Sequence, residues 1–139
     1  MPVARLTTKS KFFIDLAYWE QQGRDFRQEL YDALCDECRQ MYSLETTLMV
    51  DHVDAETGEV KVMDALLDCA SAVCRNAPDF VSPRMPLTRA IFRALIAAGN
   101  RPQSAEEIYA QIKKGSPAII LKELLSLQME QDGITPFVA

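Results

Sequence analysis

Four cysteines are the residues of this chain best suited to chemistry. They form two pairs: Cys35 and Cys38 with two residues between them, and Cys69 and Cys74 with four between them. Thiolates bind zinc in tetrahedral sites, and a cysteine pair with two intervening residues is a common sequence signal of such a site. The spacing of the first pair makes a structural zinc site, with Cys35, Cys38, Cys69 and Cys74 as metal ligands, one interpretation of these residues.

The second pair fits zinc less well. Five residues along an α-helix rotate the side chain by about 500°, which would leave Cys69 and Cys74 about 140° apart around the axis. Both could bind one ion only if the helix began or broke between them. The single histidine, His52, is a substitute ligand for one of them. Two other interpretations stay open, inert reduced thiols and a redox pair. We therefore expect no bound cofactor, with zinc as the alternative.

Catalytic motifs are scarce. His52 lies between Asp51 and Asp54 in a segment predicted to be an exposed turn, so it has few partners for acid–base chemistry. The sequence contains no glycine-rich phosphate loop, nucleophile elbow or dinucleotide fingerprint. We expect a protein that is not an enzyme.

The N-terminal part is predicted to be helical with a small β-hairpin. The aromatic run at residues 12–19 predicts a short helix that docks, either as an anchor in the core of this protein, which is the favoured interpretation, or in the groove of a partner. Apolar residues at helical spacing predict one helix over 26–42. Alternating apolar residues on either side of Asp54 and Gly58 predict a hairpin over about 48–63. A further helix is expected from residue 64 to residue 76.

A boundary is predicted at residue 83. Three prolines, Pro78, Pro83 and Pro86, lie within nine residues. Residues 1–83 hold 8 Lys and Arg against 15 Asp and Glu, a net charge of −7, whereas residues 84–139 hold 7 against 5, a net charge of +2. We expect an acidic helical region at 1–83 and a separate module at 84–139.

The 84–139 module is predicted to contain three helices. The first begins after Pro86, the second at a capping box formed by Ser104 and Glu107, and the third at Ser116 with proline at its first position. The third helix is expected over 116–129, and a closing extended segment follows it. A glycine-containing turn joins the last two helices, so the arrangement resembles the winged-helix superfamily of helix-turn-helix proteins. The fold class is thus mainly α with a small hairpin.

The resemblance implies two functions. Winged helices that bind DNA read bases with polar side chains near the start of the recognition helix. Here that helix begins Ser-Pro-Ala-Ile, which suits base reading poorly and favours protein docking. The residues expected to contact a nucleic acid or a partner are basic: Arg89, Arg93, Arg101, Lys113, Lys114 and Lys122.

The function predicted from the sequence is that of a non-enzymatic interaction or adaptor protein. Exposed aromatic anchors for the contact are expected among Phe12, Phe13, Trp19, Phe80 and Phe137. The alternative is a transcription-associated DNA-binding protein that uses residues 84–139 as a homodimer, with structural zinc in the N-terminal part.

The composition limits the remaining classes. The chain has 139 residues, of which 48% are hydrophobic and 25% charged, and a net charge of −5. Its apolar runs are far shorter than the roughly 20 residues that cross a bilayer, and its first residues lack the apolar core of a signal peptide. We expect a cytoplasmic protein without a membrane partner.

Overall fold

The computed structural model describes residues 5–45, 47–54 and 57–138, without the side chains of Leu127 and Gln128. Within these residues the fold is mainly helical, with two small antiparallel sheets. The helices are α1 (Leu16–Gln21), α2 (Phe26–Ala33), α3 (Asp36–Met41), α4 (Ala65–Ala72), α5 (Leu87–Ala97), α6 (Ala105–Ile112), α7 (Pro117–Leu124) and α8 (Leu127–Gln131). The strands are β1 (Lys11–Ile14), β2 (Met49–Val53), β3 (Val60–Asp64), β4 (Gln103–Ser104) and β5 (Ile134–Pro136).

The aromatic run at residues 12–19 divides into a strand and a helix. Residues 11–14 form β1, and Asp15 then caps α1 by accepting hydrogen bonds from the backbone N–H groups of Ala17 and Tyr18. The prediction of one docking helix over this run is wrong in its first half. Pairing with two distant strands overrides the local pattern here, because Phe and Ile also suit a half-buried strand.

The predicted helix over 26–42 is interrupted. Leu34 and Cys35 have extended backbones, so α2 ends at Ala33 and α3 begins at Asp36. Asp36 and Glu37 then lie in the first turn of α3, where negative charge stabilises the N-terminus of a helix. The single-helix prediction is therefore wrong. Cys35 lies in the extended segment between α2 and α3.

The predicted hairpin is confirmed. Strands β2 and β3 pair in antiparallel register from Met49 opposite Asp64 to Val53 opposite Val60. The carboxylate of Asp54 accepts a hydrogen bond from the backbone N–H of Thr57, and Gly58 has a φ of 73°. These are the turn roles expected of both residues.

The three predicted helices of the 84–139 region are present. The capping box of Ser104 and Glu107 opens α6, and Ser116 caps α7. The third helix is shorter than the predicted 116–129, because it ends at Leu124 and the separate helix α8 begins at Leu127. Ile108, Ile120 and Leu124 are buried, whereas Leu125 is exposed.

The first strand lies at the centre of a sheet whose other strands come from the 84–139 region. The order is β4-β1-β5, with Phe12 opposite both Gln103 and Pro136. One hydrophobic cluster contains residues from both regions, from Phe12 to Ile134. The boundary at residue 83 stays a prediction, but β1 packs with the strands beyond it.

The side chain of Asn100 fastens β1 to the end of α5. Its Oδ1 accepts a hydrogen bond from the backbone N–H of Ile14 at 2.8 Å, and its Nδ2 donates to the carbonyl oxygen of Ile14 at 2.8 Å. Asn100 has a φ of 59°, in the left-handed region. Asparagine suits this position because it tolerates that backbone and satisfies both polar groups of Ile14.

We predict that Asn100→Gly lowers the free energy of unfolding by about 1–3 kcal/mol, because both hydrogen bonds to Ile14 are lost. Asn100→Ala should cost about 1 kcal/mol more, because alanine is strained in the left-handed region. Urea denaturation measures both changes. Asn76→Ala is the control, since exposed Asn76 makes a 3.4 Å side-chain contact with the carbonyl of Ala72. Equal stability of the wild type and Asn100→Gly would contradict the role of this side chain.

Candidate functional site

The four cysteines are brought together by breaks in two helices. Cys35 immediately precedes α3, and Cys38 lies in its first turn. Cys69 lies in α4, which ends at Ala72, and Cys74 opens a short 3-10 turn over Cys74–Asn76. The helix therefore breaks between Cys69 and Cys74, which is the condition the sequence set for both to share one site.

The sulfur atoms of these residues form a compact group that we call the cysteine centre. Cys38 and Cys69 form a disulfide, with their Cα atoms 6.1 Å apart. The Sγ of Cys74 lies 3.1 Å from the Sγ of Cys35 and 3.4 Å from the Sγ of Cys38. The sulfurs of Cys35, Cys38 and Cys74 all lie within 4.8 Å of one another. The centre thus combines one disulfide with two free thiols, so the interpretation of the cysteines as inert reduced thiols is wrong for Cys38 and Cys69.

The two free thiols differ in their surroundings. Cys74 is fully buried, whereas Cys35 is half-buried. Burial raises the pKa of the Cys74 thiol to about 12, although the backbone N–H of Cys35 donates a hydrogen bond to its sulfur at 3.1 Å and opposes the shift. Cys74 is therefore a protonated thiol at neutral pH. Cys35 lines an open cleft of about 540 Å³ and is the member that solvent reaches.

His52 is not part of the cysteine centre. Its Nδ1 lies 3.0 Å from Oδ1 of Asp68, and its ring packs against Gly99. The side chain faces the body of the protein and the residue is 8% exposed, so the expectation of a solvated turn histidine is wrong. The pairing register explains this, because His52 and Met63 point to the face of the hairpin that α4 covers. Among the described residues, the group close enough to share a metal consists of cysteines alone.

The six predicted basic contact residues are not equally available. Arg93 donates to the carbonyl oxygen of Phe80 at 2.9 Å, and Arg101 forms a half-buried ion pair with Asp54 at 3.1 Å. Lys114 donates to the carbonyl oxygens of Pro83 and Met85. The other three are exposed: Arg89, Lys113 and Lys122. Three of the six predicted contact residues are therefore engaged in contacts within the protein itself.

Most of the predicted aromatic anchors are core residues. Phe12, Trp19 and Phe80 are buried, so their prediction as exposed contacts is wrong. Phe13 and Phe137 form an edge-to-face pair with ring centroids 5.8 Å apart, and Phe137 is exposed. Phe12 and Phe13 differ in burial because alternate side chains of strand β1 face opposite sides.

The outer face of the hairpin carries an apolar surface that the sequence analysis did not single out. Four side chains on this face are more than half exposed: Met49 (56%), Val53 (59%), Val60 (58%) and Val62 (66%). Their alternation along β2 and β3 was the available signal, but it indicates two faces without showing which one is covered. We call these four residues the hairpin face.

Comparisons of this chain with protein-family models, with curated proteins and with solved structures find no match. The described residues include no helix that is long and apolar enough to cross a membrane.

We predict that iodoacetamide modifies Cys35 of the native, unreduced protein at neutral pH at least tenfold faster than Cys74. Alkylation requires the thiolate, which the burial of Cys74 disfavours, and it also requires access. Peptide mapping by mass spectrometry after timed labelling measures both rates. Denaturant should make the two rates similar, which is the control. Faster labelling of Cys74 in the native protein would contradict the burial of this thiol.

Proposed function

We propose that this chain is a non-enzymatic interaction protein that docks a partner protein on its hairpin face. The observation that carries the proposal is the adjacency of four apolar side chains, each more than half exposed, on one side of β2 and β3. Single exposed apolar residues are common on protein surfaces, but a contiguous apolar patch is typical of an interaction site. An isolated hairpin is marginally stable, and here α4 supports its inner face and leaves the outer face open.

The charge around the hairpin face indicates the chemistry of the partner. Asp51 lies among the apolar side chains, and exposed Glu59 lies next to Val60. Residues 1–83 as a whole carry a net charge of −7. The favoured partner therefore presents apolar side chains with basic residues around them. A second copy of this chain is a poorer fit, because two Asp51 side chains would approach each other.

We further propose that residues 84–139 form a winged-helix-like scaffold that is completed by β1. Helices α5, α6 and α7 follow one another, with capping serines and a short turn at Gly115 between the last two. An antiparallel three-stranded sheet accompanies them. The central strand of that sheet comes from the N-terminal region, so the resemblance applies to the helices and to the general position of the sheet.

Protein docking is favoured over DNA binding by the state of the basic residues. Arg93, Arg101 and Lys114 contact carbonyl or carboxylate oxygens of the protein itself. The start of α7, where base contacts would be expected, presents exposed Ala118 and Ile119. A DNA-binding role would depend on Arg89, Lys113 and Lys122, opposed by the negative charge of the whole chain.

We predict that Val60→Lys combined with Val62→Lys lowers partner capture at least tenfold without unfolding the protein. Both side chains are exposed, so charged substitutes remain solvated in the free protein and are desolvated only in a complex. Immobilised full-length protein is incubated with lysate of the source cells, and the captured proteins are quantified by mass spectrometry. Circular dichroism and thermal melting of the variant confirm its fold.

Ile119→Lys combined with Leu125→Lys is the matched control. These side chains, in α7 and at the residue that caps its C-terminus, are also about half exposed, at 50% and 53%, and the charge change is the same. The proposal requires that the same proteins remain bound to this variant and are lost from the hairpin variant. Loss from the α7 variant alone would move the docking surface to the winged-helix-like scaffold. Equal capture by both variants and the wild type would reject the hairpin face.

We predict that the full-length protein shows little retention of random-sequence duplex DNA, even at low salt. Only three of the six basic residues predicted to contact a nucleic acid are exposed, and the chain carries a net charge of −5, so the logarithm of the binding constant should depend weakly on the logarithm of salt concentration. Fluorescence anisotropy across a salt series measures this slope. Tight binding with a steep slope that is reduced by Lys113→Glu and Lys122→Glu would instead establish the DNA-binding alternative.

A further inference from the structure

We propose that the cysteine centre is a redox-gated zinc site. In the reduced protein, Cys35, Cys38, Cys69 and Cys74 bind one Zn²⁺, and the Cys38–Cys69 disulfide is the oxidised, metal-free state of the same residues. This inference is independent of the docking function. It concerns whether the four cysteines are reduced and bound to zinc or partly oxidised and free of metal.

The first support is the arrangement of the sulfurs. A tetrahedral zinc site with Zn–S bonds near 2.3 Å places its sulfurs about 3.8 Å apart. The observed separations are 3.1 Å between Cys74 and Cys35 and 3.4 Å between Cys74 and Cys38, with all three sulfurs within 4.8 Å. The fourth sulfur, of Cys69, is bonded to that of Cys38. Reduction frees both sulfurs. Three sulfurs are then already grouped, and Cys69, which lies beside Cys38 and outside that group of three, supplies the fourth ligand by a movement of its side chain.

The second support is the backbone that presents these sulfurs. The extended residues Leu34 and Cys35 interrupt one predicted helix, and a change to 3-10 geometry at Cys74 ends another. The N–H of Cys35 donates to the sulfur of Cys74 at 3.1 Å. Backbone donors to ligating sulfurs orient them and spread the thiolate charge.

The third support is the charge beside the centre. Four thiolates and one Zn²⁺ carry a net charge of −2, which a buried cation would offset. Arg93 lines the same cleft as Cys35, and its Nε is buried without a hydrogen-bond partner among the described residues. The cleft also presents Asp32, Asp36 and Asp79. Because these carboxylates are negative, they do not offset the charge of the zinc-bound centre, and the support from charge rests on Arg93.

The chemical balance has two steps. A dithiol reductant gives two electrons and two protons to the Cys38–Cys69 disulfide, which yields two thiols, while the reductant becomes a cyclic disulfide. The four cysteine thiols then bind Zn²⁺ and release four protons to solvent, because only thiolates are ligands. A two-electron oxidant reverses the sequence, since formation of the disulfide removes two ligands and releases the ion.

The test uses the full-length protein. It is reduced with dithiothreitol under anaerobic conditions, freed of reductant and mixed with one equivalent of Zn²⁺ or Co²⁺. Native mass spectrometry should find one zinc per reduced chain and none on the unreduced chain. Cobalt should give the thiolate-to-metal charge-transfer absorption of a tetrahedral sulfur site, which Zn²⁺ then abolishes. Zinc should also protect all four thiols from alkylation, a readout that needs no variant.

Two variants define the ligand set. Cys35→Ser, at a half-buried position, should weaken zinc binding by at least about tenfold through the loss of one ligand. His52→Asn is the control and should leave the affinity unchanged, since His52 faces Asp68. Substoichiometric zinc on the reduced protein would overturn the proposal. Unchanged affinity in Cys35→Ser, or loss of binding in a folded His52→Asn protein, would also overturn it.

Discussion

The backbone hydrogen bonds of β1 are the contacts on which the rest of the fold depends. This strand pairs with β4 on one side and β5 on the other, and its inward side chains, Phe12 and Ile14, are fully buried. Without β1 the strands β4 and β5 would have no partner in that sheet, and each is too short to be stable alone. The polar groups of Ile14 also hold the turn after α5 through Asn100. The acidic and basic regions of the chain are therefore joined in one core.

Two helix starts, one turn and strand β1 show where prediction from the sequence succeeds and where it fails. Helix starts at Ser104 and Ser116 were predictable, because a capping side chain bonds to a backbone group three residues away. The turn at Asp54 and Gly58 was predictable for the same local reason. Strand β1 was not, because its identity depends on partners about 90 and 120 residues further along the chain. Local periodicity contains no information on such partners.

Some features of the candidate site could likewise be predicted from the sequence, and others could not. The spacing of Cys35 and Cys38 is a metal-binding signal that can be read from the sequence. An unbroken helix would hold Cys69 and Cys74 on different sides of its axis, and the structure contains the break between them that a shared site requires. The interruption at Leu34 could not be foreseen, because apolar residues continue at helical spacing across it. Which face of the hairpin is open was equally undetermined, since strand alternation defines two faces and tertiary packing with α4 selects one.

The position of β1 also constrains how the chain acquires its structure during synthesis. A ribosome makes the protein from the N-terminus, so Phe12, Phe13 and Ile14 leave it long before residues 103–104 and 134–136 exist to pair with them. Throughout that interval the nascent chain carries an apolar segment with unpaired backbone groups, a template for wrong strand pairing. The N-terminal region cannot complete its core as an early unit. Closure of the sheet must therefore wait for strands that are synthesised about 90 and 120 residues after β1.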